Sequence, residues 1–111
     1  MKSINKETLK GWLGQPDLLL IDIRSPEAFG KSIAKIEGAH RIEPAKLPSL
    51  ARKLPKNQKV VLYCENGVTE CPAMARELDR MGLKEVYVLE GGWHGWCGKE
   101  YPAVPKELTH Q

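Results

Sequence analysis

Short runs of hydrophobic residues alternate along this chain with stretches in which hydrophobic residues recur every three or four positions. Residues 18–23, 59–63 and 85–89 are nearly continuous hydrophobic runs, a pattern typical of β-strands that are buried on both faces. Residues 39–42 predict a further, shorter strand. Because none of these runs approaches the length of a bilayer-spanning helix, no interaction with a membrane is expected.

Helical spacing predicts five helices between and around these strands. They cover residues 3–12, 25–29, 44–54, 69–81 and 93–97. Ser3 and Ser25 are the expected N-caps of the first two helices. Pro72 fits the first turn of the fourth helix, which Gly82 is expected to end. Residues 30–38 are predicted to be a loop.

This order of elements predicts an α/β fold. Strands that alternate with helices are joined by right-handed crossovers and form a mostly parallel sheet. A chain of 111 residues has the length of one domain, so residues 1–111 are expected to share one core. Ligands of such sheets bind beyond the carboxyl ends of the strands. Residues 22–24, 64–69 and 90–93 would all lie at that edge, which is therefore the predicted site.

Cys64 carries the clearest chemical signal in the sequence. It follows a predicted buried strand and begins a short loop, containing Gly67, that leads into a helix. A helix N-terminus has unpaired N–H groups and the positive end of the peptide dipole, so a sulfur placed there ionises more easily. A buried, inert thiol is the alternative for any free cysteine. The position between strand, loop and helix favours a nucleophile that is open to incoming reagents.

Five pieces of sequence, taken in order, resemble the rhodanese family of sulfurtransferases. They are residues 20–24 (Leu-Ile-Asp-Ile-Arg), 36–39 (Ile-Glu-Gly-Ala), 61–64 (Val-Leu-Tyr-Cys), 81–82 (Met-Gly) and 89–93 (Leu-Glu-Gly-Gly-Trp). The resemblance spans nearly the whole chain. It implies the three-layer rhodanese-like fold, in which a central, mostly parallel sheet of about five strands has helices on both faces.

The same resemblance implies a sulfurtransferase reaction through a persulfide on Cys64. A sulfane sulfur would pass from a donor (thiosulfate or a persulfide) to Cys64, and then to cyanide in an assay or to a thiol or protein in the cell. No cofactor is needed, because thiolate attack on an S–S bond gives a covalent intermediate. The loop residues would bind the persulfide through their N–H groups, with a further hydroxyl from the last of them. These residues are Glu65, Asn66, Gly67, Val68 and Thr69.

Acidic residues in this loop depart from the family pattern. Members that use thiosulfate commonly have basic residues directly after the cysteine, where this chain has Glu65 and Asn66. Unless they point outward, Glu65 and Glu70 would repel a dianionic donor, so a small or protein-bound persulfide is at least as suitable. Related phosphatases have an arginine that binds phosphate at the sixth position after the cysteine. Glu70 occupies that position here, which argues against a phosphatase.

Several interpretations stay open. A catalytically quiet module for sulfide or redox sensing or for protein binding is one alternative, and a sulfur carrier served by a cysteine desulfurase is another. Cys71 is either a resolving thiol for Cys64 or a small packed side chain, with packing the simpler interpretation. Asp22 and Arg24 are expected to hold loops together rather than to bind substrate. Trp93 is expected to pack the final turn or to border the pocket.

Charge and cysteine content narrow the class of protein further. The net charge is +3 and the basic residues are scattered, so nucleic-acid binding is not expected. An odd number of cysteines, three, fits a reducing compartment better than a disulfide framework, and the predicted location is the cytoplasm. The cysteines and histidines have no paired metal-ligand spacing, so no metal site is predicted.

Overall fold

A parallel sheet of five strands forms the centre of the protein. A computed structural model describes residues 2–98 and 100–106 of the chain. The strands are β1 (Lys2–Ile4), β2 (Leu18–Asp22), β3 (Ala34–Ile36), β4 (His40–Arg41), β5 (Lys59–Tyr63), β6 (Glu85–Leu89) and β7 (Ala103–Pro105). The helices are α1 (Lys6–Trp12), α2 (Pro26–Lys31), α3 (Leu47–Ala51), α4 (Cys71–Arg80) and α5 (Gly92–Trp96), with a 3-10 turn at Pro44–Lys46.

The strand order in the central sheet is β1-β6-β5-β2-β4, and every neighbouring pair is parallel. β3 and β7 pair separately as a two-stranded antiparallel sheet. The predicted α/β fold with about five mostly parallel strands is therefore confirmed. Since β2, β4, β5 and β6 run in one direction, their carboxyl ends share one edge.

Alternate residues of the central strands enter two separate hydrophobic clusters, one on each face of the sheet. Ile21 and Leu62 belong to the cluster that α3 and α4 complete. Leu20 and Val61 belong to the cluster on the other face, which α1 and α5 complete. Each such aliphatic side chain contributes about 1.5–3 kcal/mol when fully buried. Burial on both faces explains why these strands are hydrophobic without alternation.

The beginning of the chain differs from the prediction. Ser3 does not cap a helix, because it lies in β1, where it pairs with Val88 of β6. The N-cap of α1 is Asn5, whose side chain accepts a hydrogen bond from the Thr8 N–H. A strand of three residues is too short to give a detectable hydrophobic period. Ser25, in contrast, caps α2 as predicted, with its hydroxyl oxygen accepting from the Ala28 N–H.

Two further elements were not predicted, and the remaining boundaries shift by a few residues. Residues 30–38, expected to be a loop, contain the end of α2 and the strand β3, while β7 had no predicted counterpart. The stretch 44–54 divides into a 3-10 turn and α3, because Pro48 has no N–H to continue a helix from before it. Within the part of the chain that the structure describes, no helix has the length and apolar character needed to cross a bilayer.

Candidate active site

Cys64 lies directly after β5, at the shared carboxyl edge of the sheet, and residues 65–70 connect it to α4. The three segments expected at this edge meet there. The Ile23 N–H donates to the Tyr63 carbonyl oxygen at 2.9 Å, which joins the end of β2 to β5. The Trp93 N–H donates to the Cys64 carbonyl oxygen at 2.8 Å, which joins the segment after β6 to the cysteine.

Hydrogen-bond donors surround the Cys64 sulfur. The Gly67 N–H donates to it at 3.2 Å, and the thiol and backbone N–H of Cys71 act on it as well, since both lower its pKa. Cys71 is the first residue of α4, so its N–H is one of the unpaired donors of a helix N-terminus. Of the backbone N–H groups of residues 65–69, which the sequence predicted as donors, the structure places the Gly67 N–H alone on the sulfur. The Val68 N–H takes another direction and donates to Asn66 Oδ1 at 2.9 Å.

These donors make Cys64 acidic. Hydrogen bonds from the Cys71 thiol, the Cys71 N–H, Thr69 and Gly67 outweigh burial and lower the pKa of Cys64 to about 5. The hydrogen bond to Cys64, together with burial, raises the pKa of Cys71, so that this thiol stays protonated and remains a donor. At neutral pH the site therefore holds a thiolate at position 64, the form of cysteine that acts as a nucleophile.

The Thr69 hydroxyl has a competing acceptor. Its oxygen is 3.7 Å from the Cys64 sulfur but only 2.7 Å from Glu70 Oε1. A hydroxyl has one proton to donate, and the shorter contact to a carboxylate is the stronger one. Thr69 therefore donates mainly to Glu70 in this conformation, and its longer contact lowers the pKa of Cys64 less than the Cys71 contacts do.

The sulfur is not open to solvent, which corrects the expectation of an exposed nucleophile. The exposed fraction of Cys64 is 0%, and that of Cys71 is also 0%. Both belong to the hydrophobic cluster beneath α4, and residues 65–70 close over the sulfur from the other side. Burial occurs because the loop curls tightly enough for the Gly67 N–H to reach the sulfur. In this conformation the sulfur is closed to incoming reagents.

Two glycines make the close packing around Cys64 possible. Gly67 has φ +84°, and a Cβ there would lie 3.1 Å from both the Gly91 nitrogen and the Leu89 oxygen. Gly92 has φ +55°, and its Cβ would lie 2.4 Å from the Cys64 carbonyl oxygen. Residues with a side chain rarely adopt positive φ. The Gly-Gly pair at 91–92 thus allows the start of α5 to approach the backbone of Cys64.

Asp22 and Arg24 form a buried ion pair, as the sequence interpretation favoured. Both side chains have an exposed fraction of 0%, and Arg24 Nη2 lies 2.7 Å from Asp22 Oδ2. The same Arg24 nitrogen donates to the Ala34 carbonyl oxygen at 3.0 Å. Tyr63, the residue before the nucleophile, donates its hydroxyl to Asp22 Oδ2 at 3.0 Å. These contacts join the end of β2 to β5 and β3, below the active-site loop.

Trp93 contributes mainly through its backbone. Its N–H binds the Cys64 carbonyl oxygen, while its partly buried side chain packs against the cluster on the α1 face. The guanidinium carbon of Arg24 is 4.8 Å from the centre of the Trp93 ring. Trp93 therefore supports the site by binding the Cys64 backbone and by packing, consistent with the packing role that was expected for it.

His94 has a partner that the linear sequence did not reveal. Its Nε2 lies 2.8 Å from Glu65 Oε2, and its backbone N–H donates to the Glu65 carbonyl oxygen at 2.9 Å. The His94 side chain is 70% exposed. Glu65 and His94 are far apart in the chain, and only the approach of α5 to the loop brings them together.

Comparison with known proteins identifies the family. A family model described as a rhodanese-like domain matches residues 5–99. Thiosulfate sulfurtransferase GlpE of Tolumonas auensis is 31% identical over 81 residues, which are 73% of this chain and 74% of that protein. The uncharacterized protein YqhL of Bacillus subtilis is 33% identical over 99 residues, which are 89% of this chain and 75% of that protein.

Solved structures agree with this assignment. The rhodanese-like domain of the Alr3790 protein from Anabaena sp. matches with a TM-score of 0.80 at 20% identity, covering 100% of this chain and 84% of that one. A rhodanese-related protein from Thermoplasma volcanium matches with a TM-score of 0.76 at 25% identity, covering 94% of this chain and 98% of that one. From its fold, from the cysteine at the sheet edge and from these matches, the chain belongs to the rhodanese-like domain family.

Proposed function

We propose that the protein is a sulfurtransferase in which Cys64 carries a sulfane sulfur as a persulfide. The observation that supports this most directly is the set of donors on the Cys64 sulfur, which lowers the pKa of its thiol to about 5. An inert core cysteine has no such set, since burial alone raises a thiol pKa. The relatives named thiosulfate sulfurtransferase support the same reaction class.

The transfer takes place in two displacement steps. In the first, the Cys64 thiolate attacks the outer sulfur of the donor, and the bond from that sulfur to the rest of the donor breaks. Its electron pair leaves with sulfite when the donor is thiosulfate, or with a thiolate when the donor is a persulfide. In the second, the acceptor attacks the outer sulfur of the Cys64 persulfide and the Cys64 thiolate leaves. Cyanide becomes thiocyanate, and a thiol becomes a persulfide.

The loop and the start of α4 provide the binding groups for these steps. The persulfide is an anion, and the Gly67 and Cys71 N–H groups are directed at the position from which it extends. Preorganised N–H donors stabilise negative charge without reorientation. Displacement of residues 65–70 admits the donor, and their return shields the persulfide from water.

The persulfide chemistry of Cys64 also indicates which sulfur donors and acceptors to expect. Small sulfur donors and thiol acceptors are the reactants that thiolate chemistry calls for, and a cysteine desulfurase or another sulfur-relay protein would supply the sulfur in the cell. Glu65 and Glu70 at the loop disfavour a dianion, which makes a persulfide the more suitable physiological donor. The reaction needs reduced thiols, so we place the protein in the cytoplasm.

A catalytically quiet rhodanese module is the second candidate function. The observation that favours it is the exposed fraction of Cys64, which is 0%. A sulfur that is reached only by loop displacement accepts and releases its cargo slowly, which suits sulfide or redox sensing better than turnover. The two candidates therefore share the persulfide and differ in the rates at which Cys64 accepts and releases the sulfur.

Intact-mass measurement after incubation with thiosulfate or with a small persulfide tests the proposal. We expect a gain of one sulfur atom, about 32 Da, that is lost in Cys64→Ser and kept in Cys97→Ser. Cys97 is the matched control because it is a free, exposed cysteine. Repeated turnovers that form thiocyanate from cyanide would support the sulfurtransferase. A single slow turnover would support the catalytically quiet module. Absence of the mass gain with both donors would refute persulfide chemistry at Cys64.

A further inference from the structure

The start of α5 holds the first residues of the active-site loop through three polar contacts. The Trp93 N–H binds the Cys64 carbonyl oxygen at 2.8 Å, and the His94 N–H binds the Glu65 carbonyl oxygen at 2.9 Å. The third contact joins the side chains, with His94 Nε2 at 2.8 Å from Glu65 Oε2. The backbone contacts do not depend on the residue type at position 94, whereas the third contact does.

The side-chain contact determines the charge beside the nucleophile. Glu65 directly follows Cys64, and its side chain is 32% exposed. It lines a surface depression together with Glu27, Ala28 and Lys31 of α2. A carboxylate in this position repels an approaching anion, and the repulsion grows with the charge of that anion. When the His94 imidazole is protonated, the pair carries no net charge and the repulsion is cancelled.

We propose that His94 determines which class of sulfur donor the site accepts, because its protonated form neutralises Glu65 and admits dianionic donors. With a neutral imidazole the Glu65 charge is uncompensated, and donors of lower charge are favoured. This inference rests on the proposed sulfurtransferase function and assigns to it a specificity-determining residue. His94 acts on the donor through Glu65 and takes no part in bond breaking.

Other titratable groups lie near the pair. Glu27 and Lys31 face Glu65 from α2 and form an exposed pair with each other at 4.0 Å. Arg24, buried beneath the loop, has its pKa raised by its contacts with Asp22. Burial raises the pKa of Cys97, which follows α5, and Glu70 lies at the far end of the loop. Histidine is the side chain that ordinarily changes charge between about pH 5 and 8.

A pair of donors that differ by one charge provides the test. Thiosulfate is a dianion and benzenethiosulfonate a monoanion, and each gives its outer sulfur to a thiolate while sulfite or benzenesulfinate leaves. The measured quantity is the ratio of kcat/KM for thiosulfate to kcat/KM for benzenethiosulfonate, from about pH 5.5 to 8.5. Titration of Cys64 and the second step affect both donors equally, so the ratio reports only the discrimination by charge.

We expect this ratio to fall as the pH rises, on the order of fivefold at low ionic strength, and to change less in high salt. His94→Gln keeps a donor to Glu65 without a charge, so its ratio should be low and independent of pH. His94→Arg keeps a permanent positive charge, so its ratio should remain high across the range. Because 70% of the His94 side chain is exposed, both variants are expected to fold.

The outcomes separate this inference from the proposed function. A wild-type ratio that does not vary with pH, or a His94→Gln variant that keeps the wild-type profile, would overturn the role of His94. In either case a mass gain on Cys64 would leave the sulfurtransferase function standing. If neither donor adds sulfur to the wild-type protein, the proposed function fails and the inference fails with it.

Discussion

At the scale of single residues, the property that most affects chemistry is the contact between two thiols. The thiol and the backbone N–H of Cys71 are among the groups that lower the pKa of Cys64. The sequence suggested two roles for Cys71, a resolving thiol or a packed side chain. The contact adds a third role, that of a donor which stabilises the thiolate, and a disulfide between the two remains a separate prediction.

Replacing Cys71 should raise the pKa of Cys64. Loss of a hydrogen bond to a charged group costs about 1.5–3 kcal/mol, so Cys71→Ala should raise that pKa from about 5 by roughly one to two units. The pH dependence of thiolate absorbance, or of the rate of alkylation, measures the shift. Cys71→Ser keeps a donor and should stay closer to the wild type. Equal pKa values in the wild type and in Cys71→Ala would show that the thiol contact is unimportant.

Secondary-structure elements position the site through backbone contacts that tolerate no side chain. The approach of α5 to Cys64 is the clearest case, because the Cβ of a residue at position 92 would lie 2.4 Å from the Cys64 carbonyl oxygen. This approach in turn allows the Trp93 N–H to bind the same oxygen. A glycine at position 92 is therefore a requirement of the site as well as of the turn.

Gly92→Ala should lower both stability and persulfide formation. A side chain at positive φ costs about 1–3 kcal/mol, and the contact with the Cys64 oxygen adds to this cost. Denaturant unfolding and the intact-mass assay measure the two effects. Gly11→Ala in α1 is the matched control, because Gly11 has nothing within 4 Å of an added Cβ, and it should stabilise by roughly 0.5–1 kcal/mol. Similar effects of the two substitutions would contradict the close approach.

The sequence predicted strands correctly where a clear hydrophobic run was present. It did not predict the strands that are only three residues long. β2, β5 and β6 were predictable because burial on both faces leaves four consecutive hydrophobic residues in each of these five-residue strands. β1, β3 and β7 have three residues each, and their pairing depends on distant partners. For the same reason the place of Cys64 directly after β5 was predictable, whereas its burial and its contact with Cys71 depend on the curl of the loop.

At the scale of the whole molecule, one buried ion pair joins the central sheet to the small sheet. Asp22 ends β2 and accepts hydrogen bonds from Arg24 and Tyr63. Arg24 reaches the Ala34 carbonyl oxygen in β3, and the Tyr63 hydroxyl accepts from the Ile36 N–H at 3.1 Å. Burial raises the pKa of Tyr63, so its hydroxyl stays protonated and continues to donate to Asp22.

Asp22→Asn should therefore destabilise the fold strongly. The substitution leaves the buried Arg24 guanidinium without a counter-charge, and breaking a buried pair in this way costs about 3–5 kcal/mol. Denaturant unfolding of the reduced protein measures the loss. Glu27→Gln removes the exposed pair with Lys31 and should change the free energy of unfolding by less than about 1 kcal/mol. An equally small effect of Asp22→Asn would show that this pair does not hold the two sheets together.

The enclosure of Cys64 has a consequence for timing. In a sulfurtransferase built this way, residues 65–70 must move to admit a donor or acceptor. The same residues, when closed, keep oxygen and competing thiols away from the persulfide. The lifetime of the persulfide and the rate of sulfur transfer to the acceptor then depend on the same loop motion. A substitution that speeds transfer should therefore also shorten the lifetime of the persulfide. Variants of residues 65–70 should fall along this trade-off rather than improve both properties at once.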